Sequence, residues 1–198
     1  GLESLGSRIQ TVLKPARCLL IADSNIVDNH VSRAASSIDA VGIETGSPFI
    51  VDADETNKRM STVEASLDAA LEGGLDRDDC IVSVGGGLVG DVAGFAAAIY
   101  LRGIACIQVP TTLLAMVDDS IGGKTGVNLP LPGGEALGKN LAGAFWQPSM
   151  VLADPVVLST LEPRELRCGL AECVKHGLIG DPELLTIISD DLDLLLGA

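Results

Sequence analysis

The chain has 198 residues, 47% of them hydrophobic, and a formal charge of −14. That composition can bury one large or two modest cores and excludes the disordered and collagen-like classes. The acidic surplus argues against nucleic-acid and anionic-membrane partners, so an anionic small molecule would need locally placed cations.

In chain order, residues 17–23 (RCLLIAD), 48–52 (PFIVD), 80–84, 105–109 and 150–153 are short apolar runs that predict strands. Residues 61–71 and 91–102 predict helices, the first with Ser61 and Glu64 at capping-box spacing. The alternation predicts an α/β fold: a Rossmann-like, mostly parallel sheet with helices on both faces and ligands at the carboxyl ends of the strands. Beyond Pro163 no strand follows. Residues 163–179 and 182–196 each open with proline near a first helical turn, and Gly180 stands where a C-cap belongs. A boundary near Thr160 is expected, with an α/β domain over 1–160 and the beginning of an all-α domain over 161–198.

The longest uncharged stretch, 103–117, is too short for a bilayer and is broken by Pro110, and no basic segment precedes an apolar run at the start. A soluble, cytoplasmic protein is expected. Cys18, Cys80, Cys106, Cys168 and Cys173 form no CxxC, which predicts buried, reduced thiols.

The stretch IVSVGGGLVGDVAGF, residues 81–95, carries the first chemical signal. A glycine turn between a buried strand and a helix lets backbone N–H groups approach a phosphate, and Gly85, Gly87 and Gly90 match G-x-G-x-x-G. The acidic residue expected at the end of the next strand is missing, because that strand runs into Pro110-Thr111-Thr112. Asp91 would repel a pyrophosphate unless it held a ribose hydroxyl, a loop amide or a cation; the alternative is a helix-capping aspartate.

Between Cys80 and Met150 only seven residues are charged: Asp91, Arg102, Asp118, Asp119, Lys124, Glu135 and Lys139. Lys124 follows Gly122 and Gly123, but Asp118 stands where a P-loop needs its first glycine, so a Walker motif is excluded. Lys124 can still meet a phosphate or carboxylate as a point charge, or be a solvated surface lysine. Glu172 and Lys175, three residues apart on one predicted helix, share a face, as a metal ligand beside an anion-binding ammonium or as a surface ion pair. His176 lies near that face, and His30 is expected at the surface.

Taken in order, GGGLVGDVAGFAAAIYLRG, IQVPTTLLAMVDDSIGGKTGVN, LGKNLAGAFWQP and LEPRELRCGLAECVKHGLI resemble the 3-dehydroquinate synthases, sugar phosphate cyclases of the shikimate pathway. The resemblance is strong over roughly 80–181 and weaker at 22–25 and 55–58. It implies an NAD site in which Asp23, Asn25, Glu55 and Lys58 meet the adenosine half, while Gly86, Gly87, Leu88, Val89, Gly90 and Asp91 hold the pyrophosphate and its ribose. Thr111, Thr112, Lys124, Lys139, Leu158, Ser159 and Thr160 would complete the pocket. Asp118, Lys124, Asn140 and Lys175 would contact the substrate, and Arg102 would reach the neighbouring subunit's phosphate site in a homodimer. Glu172 would be one of three ligands to a divalent metal, zinc or cobalt; the family does not use the position of His176.

The activity so implied is that of a carbon–oxygen lyase acting on 3-deoxy-D-arabino-heptulosonate 7-phosphate. NAD oxidises a ring hydroxyl, phosphate leaves, the hydride returns, and ring opening and an aldol closure give 3-dehydroquinate. Two departures stand out. Asp119 replaces a serine usual in the family and adds charge beside a substrate position, and residues 131–136 look like an inserted flexible loop on the cofactor side. The family draws two histidine metal ligands from a helical region beyond this stretch and starts with a strand pair that precedes it. The resemblance therefore implies a piece truncated at both ends, inactive alone and weak in zinc binding. Another sugar phosphate cyclase, a metal-dependent polyol dehydrogenase and a noncatalytic nucleotide-binding module stay open as alternatives.

Overall fold

The computed structural model describes residues 1–134 and 136–196. Glu135, inside the expected 131–136 insertion, lies outside the described residues. Five strands form one parallel sheet in the order β2-β1-β3-β4-β7: β1 (Cys18–Asp23), β2 (Phe49–Val51), β3 (Cys80–Gly85), β4 (Ala105–Pro110) and β7 (Met150–Val151). Every predicted strand is there: β1, β2 and β7 are a residue or two shorter than predicted, and β3 and β4 each run one residue further. The parallel register sets Cys18 beside Cys80 and Leu20 beside Val82, so alternate side chains go to opposite faces.

Both faces are covered, which is why the strands carry almost no polar residues. On one side Leu20, Ala22, Val82 and Val84 pack with Leu5, Ile9, Ala34 and Ile38 of α1 (Leu5–Val12) and α2 (Ser32–Asp39). On the other, Leu19, Ile21 and Ile81 meet Val63 and Ala70 of α3 (Met60–Glu72) and Val92, Ala93 and Ala96 of α4 (Gly87–Ile99). The sequence reading assigns no element to the stretches that form α1 and α2. Their helices are short, and α2 (SRAASSID) is small and polar.

Two expected details differ. Helix α3 has Arg59 at its N-cap with no side-chain bond, so Ser61 and Glu64 form no capping box; Ser61 is already inside the first turn. Helix α4 starts at Gly87, not Asp91, because the glycines themselves adopt the helical turn. Among the cysteines, Cys18, Cys80 and Cys106 are buried as expected, whereas Cys173 is half-buried and Cys168 is exposed.

A second sheet is absent from the sequence expectation: the antiparallel hairpin of β5 (Lys124–Pro130) and β6 (Leu137–Phe145). The two strands include three glycines and few β-branched side chains, the opposite of a strand signature. The glycines are what permit it. Gly126 and Gly143 are register partners, and Gly94 of α4 receives the Thr125 side chain, so hairpin and helix pack closely. The residues of the expected 131–136 insertion that are described lie at the hairpin's tip.

Beyond β7 the chain is helical: a 3-10 segment (Pro155–Thr160), α5 (Pro163–Gly180), α6 (Pro182–Asp190) and α7 (Leu192–Leu196). Helix α5 leans on the 112–119 segment, where Gly169 meets Leu113 and His176 Nε2 lies 3.1 Å from the Val117 carbonyl. No helix among the described residues is long and apolar enough to cross a membrane.

His30 is not at the surface but buried, its Nε2 2.9 Å from Thr160 Oγ1. That hydroxyl donates to the Val157 carbonyl, so Nε2 carries the ring proton and donates to it. Nδ1 is left bare, buried and unpartnered, and burial with Arg33 nearby holds the imidazole below its usual pKa. A depressed histidine contributes stability that is present above its unfolded pKa of about 6.5 and lost as pH falls through the folded value. His30→Gln, which keeps an N–H donor, is expected to flatten that part of the stability–pH curve below pH 6.5 in denaturant titrations.

Candidate active site

Strands β1, β3 and β4 end side by side at Asp23, Gly85 and Pro110. Helix α4 begins two residues beyond β3. Its N-cap, Gly86, has no side chain to offer, so the amides of Gly87, Leu88 and Val89 receive no side-chain cap. An anion placed there would meet three donors and the positive end of a 13-residue helix dipole. A Cβ at Gly86 would lie 3.2 Å from Thr112 Cγ2, one at Gly90 2.9 Å from Gln108 Oε1, and one at Gly87 would run into the Asp119 carboxylate. Bare glycines keep the strand ends open.

Above them lies a cleft of ≈ 990 Å³ walled by Asp23, Asn25, Glu55, Gly86, Gly87, Leu88, Val89, Thr111, Thr112 and Thr160, ten of the residues expected at a cofactor. Asp23 Oδ1 accepts from the Asn25 backbone and side-chain amides at 2.8 and 3.0 Å, which fixes the turn after β1. Leu158 and Ser159 do not line this cleft; they precede Thr160 in the same 3-10 segment, with Ser159 Oγ donating to the Val156 carbonyl. Gly90 and Asp91 lie one helical turn inside α4 and face elsewhere.

Asp91, Lys124 and Asn140 instead line a second, smaller cleft between α4 and the β5–β6 hairpin. Lys124 reaches it from the start of β5, after Gly122 and Gly123 at φ 91° and 69° turn the chain into the strand. Lys58 joins the two clefts: nearly buried, it is ion-paired with Asp91 and donates to Asn140 Oδ1 at 2.6 Å. Asp91 thus holds a cation, and it caps no helix. Burial raises its pKa and the Lys58 ammonium opposes that rise. Lys139 Nζ is 3.5 Å from Glu55 Oε1 at the rim.

A third group sits on α5, where Lys175 lies between Glu172, with which it is paired, and Asp118 at 3.8 Å. The shared-face expectation holds for this pair. Glu172 Oε2 is buried and has no hydrogen bond beyond that ion pair. Among the described residues no group of three His, Cys, Asp or Glu side chains is placed to hold a metal. Arg102 is not brought to either cleft: it follows the far end of α4, about 20 Å from Gly87 at 1.5 Å per residue, exposed and at φ 69°.

The sequence reading missed several cleft residues. Leu161, Glu162, Arg164 and Glu165 line the larger cleft because the first turn of α5 points into it, which the proline start at 163 could have suggested. Asp119 faces the larger cleft as well, beside Gly87. Although it keeps solvent contact, its carboxyl is raised by burial first and then by Asp91 and Asp118.

A family model described as 3-dehydroquinate synthase N-terminal matches residues 48–168. The 3-dehydroquinate synthase of Gloeobacter violaceus is 50% identical over 184 residues, 93% of this chain and 49% of that protein. The chain spans about half the length of the curated relatives it matches. Among solved structures, 2-deoxy-scyllo-inosose synthase complexed with carbaglucose-6-phosphate, NAD+ and Co2+ superposes with a TM-score of 0.79 at 38% identity, over 90% of this chain and 46% of that one. ValA, the 2-epi-5-epi-valiolone synthase from Streptomyces hygroscopicus subsp. jinggangensis with NAD+ and Zn2+ bound, gives 0.82 at 33% identity, over 93% and 50%.

Proposed function

The chain belongs to the 3-dehydroquinate synthase family, and from that premise we propose that its clefts serve the conversion of 3-deoxy-D-arabino-heptulosonate 7-phosphate to 3-dehydroquinate and phosphate. The observation that carries this reading is the uncapped N-terminus of α4, opening at the strand ends into a cleft of ≈ 990 Å³. Lys124 lines the adjoining smaller cleft, Lys139 stands beside Glu55 at the rim, and Arg164 is on the wall of the larger cleft, in a chain of charge −14. Such local cations offset the repulsion that the global field imposes on an anionic substrate.

NAD, when bound, would take one hydride from the substrate and later return it. The Gly87, Leu88 and Val89 amides would hold its pyrophosphate, while Asp23, Asn25 and Glu55 would accept and donate to ribose hydroxyls at the other end of the same cleft. Lys124 and Asn140, in the adjoining cleft, would bind the substrate's carboxylate or phosphate, and Lys175 with Asp118 would orient it from the α5 side. Glu172 would supply one carboxylate to a divalent metal, zinc or cobalt. Among the described residues no second and third ligand are assembled beside it. Arg102, exposed at the far end of α4, fits a homodimer in which it serves the neighbour's site. A cytoplasmic setting accords with three buried free thiols.

Titration calorimetry with NAD tests the cofactor half, and loss of saturable binding overturns it. Asp119→Ser is expected to tighten NAD about three- to tenfold at pH 8, the scale of removing a like charge from a partly screened site. Because the Asp119 pKa is raised, the wild-type chain should approach the variant as pH falls and the carboxyl takes its proton. The whole protein, assayed for phosphate release, should lose at least about 100-fold with Lys124→Met. Equal turnover of another sugar phosphate would assign it to a sister cyclase.

A further inference from the structure

Asn128 is 1% exposed and lies where the β5–β6 register slips, between Val127 and Leu129. A bulge at that point lifts one residue off the ladder and re-aims it. Freed from pairing with β6, the Asn128 backbone N–H bonds the Lys58 carbonyl at 2.8 Å, and Arg59 forms an isolated bridge with it. Its side chain is used at both ends. Nδ2 donates to Glu55 Oε1 at 2.8 Å and to the Glu55 carbonyl at 3.3 Å, while Oδ1 accepts the Asn140 N–H at 2.9 Å.

Each partner needs that bond. Asn140 stands at φ 54°, in the left-handed region, and is held there by the Asn128 acceptor on its backbone and the Lys58 ammonium on its side chain. The Glu55 carboxyl is kept below its usual range first by the Asn128 amide and then by Lys139 and Lys58. The amide orientation is also fixed, since reversing it would aim NH2 at the Asn140 N–H and an oxygen at a carboxylate.

We propose that Asn128 is the positioning residue that clamps the 55–58 turn to Asn140, so that occupancy of the larger cleft and of the Lys124–Asn140 cleft are energetically coupled. The proposal rests on the reading of these as the cofactor and substrate sides. Asn128 touches neither ligand; it acts through Glu55, Lys58 and Asn140. Coupling through such an element typically spans about 5- to 150-fold in affinity.

The test compares the wild-type chain with Asn128→Ala by amide hydrogen exchange and by NAD titration with and without saturating inorganic phosphate. Expected is exchange at least about tenfold faster over both 54–59 and 137–141, with 80–90 unchanged. NAD should bind the wild type about fivefold or more tightly when phosphate is present, and that ratio should fall to one in the variant. Faster exchange on one side only, or a ratio the variant leaves untouched, overturns the clamp. Should the wild-type chain bind no NAD, the cofactor reading fails by itself, and the exchange result still decides whether the two segments are tied.

If Asn128→Ala does not fold, Asn128→Asp carries the test. It retains the acceptor for the Asn140 N–H but turns a carboxylate toward Glu55, so exchange should rise over 54–59 and stay slow over 137–141. Adding Glu55→Gln, whose amide can donate to the introduced carboxylate, should restore protection at 54–59. Absence of that rescue overturns the proposal.

Discussion

Lys58→Met is expected to lower the unfolding free energy by about 3–5 kcal/mol, the cost of stripping one partner from a buried ion pair. The size follows from position: the Lys58 side chain is 8% exposed and that of Asp91 20%, so the variant leaves a carboxylate with little water and no cation. Methionine fills the space and cannot donate to Asn140, so the bond at 2.6 Å is lost too. Burial and Glu55 both push the Asp91 carboxyl up, and Lys58 is what opposes them. A carboxyl whose folded pKa lies above its unfolded value contributes stability below the unfolded pKa and loses it as pH rises through the folded one. The deficit of Lys58→Met relative to wild type should therefore shrink as pH is lowered from 8 toward 5. Asp91→Asn on the Lys58→Met background should recover most of the loss and remove that pH dependence; denaturant titration at three pH values decides.

Gly143→Ala carries the second large effect. A Cβ at Gly143 would land on the Thr125 carbonyl oxygen and 2.7 Å from Gly126 Cα, both backbone atoms of β5. Neither can swing aside as a side-chain tip can, so the hairpin must open. Overpacking of this kind costs about 3 kcal/mol, or a Tm roughly 6–12 °C lower in a chain of this size. The damage should be local as well. Lys124 and Asn140 ride on the two strands, so phosphate binding by the Lys124 side should weaken more than NAD binding at the strand ends, as paired calorimetric titrations would record. Equal loss at both clefts would show that the hairpin and the sheet edge respond as one unit.

The parts of the fold that could be read from the chain share a physical feature: their signal is local. The runs at 18–22 and 80–84 are apolar on both faces because helices cover both, and that burial is written in consecutive residues. The glycine triplet announces a close backbone approach wherever it falls. The hairpin was illegible because its stability comes from glycines touching across strands, which reads locally as weak strand propensity. Helices α1 and α2 were missed because they are short, and α2 is small and polar. His30 carries no local mark of burial, since Thr160 lies 130 positions away.

The site divides along the same line. Which residue types stand at which positions, from Asp23 to Glu172, was determined by the sequence alone, as was the placement of a glycine turn between β3 and α4. Tertiary structure decided which of them meet. It sent Asp91 away from the glycine cleft to Lys58, turned Asp119 toward it, and left Arg102 at the far end of α4. It also joined Glu55 to Asn128 across 73 positions and Lys58 to Asn140 across 82. Contacts of that range depend on how a hairpin seats against a helix, and packing of that kind leaves no periodicity along the chain for a reader to find.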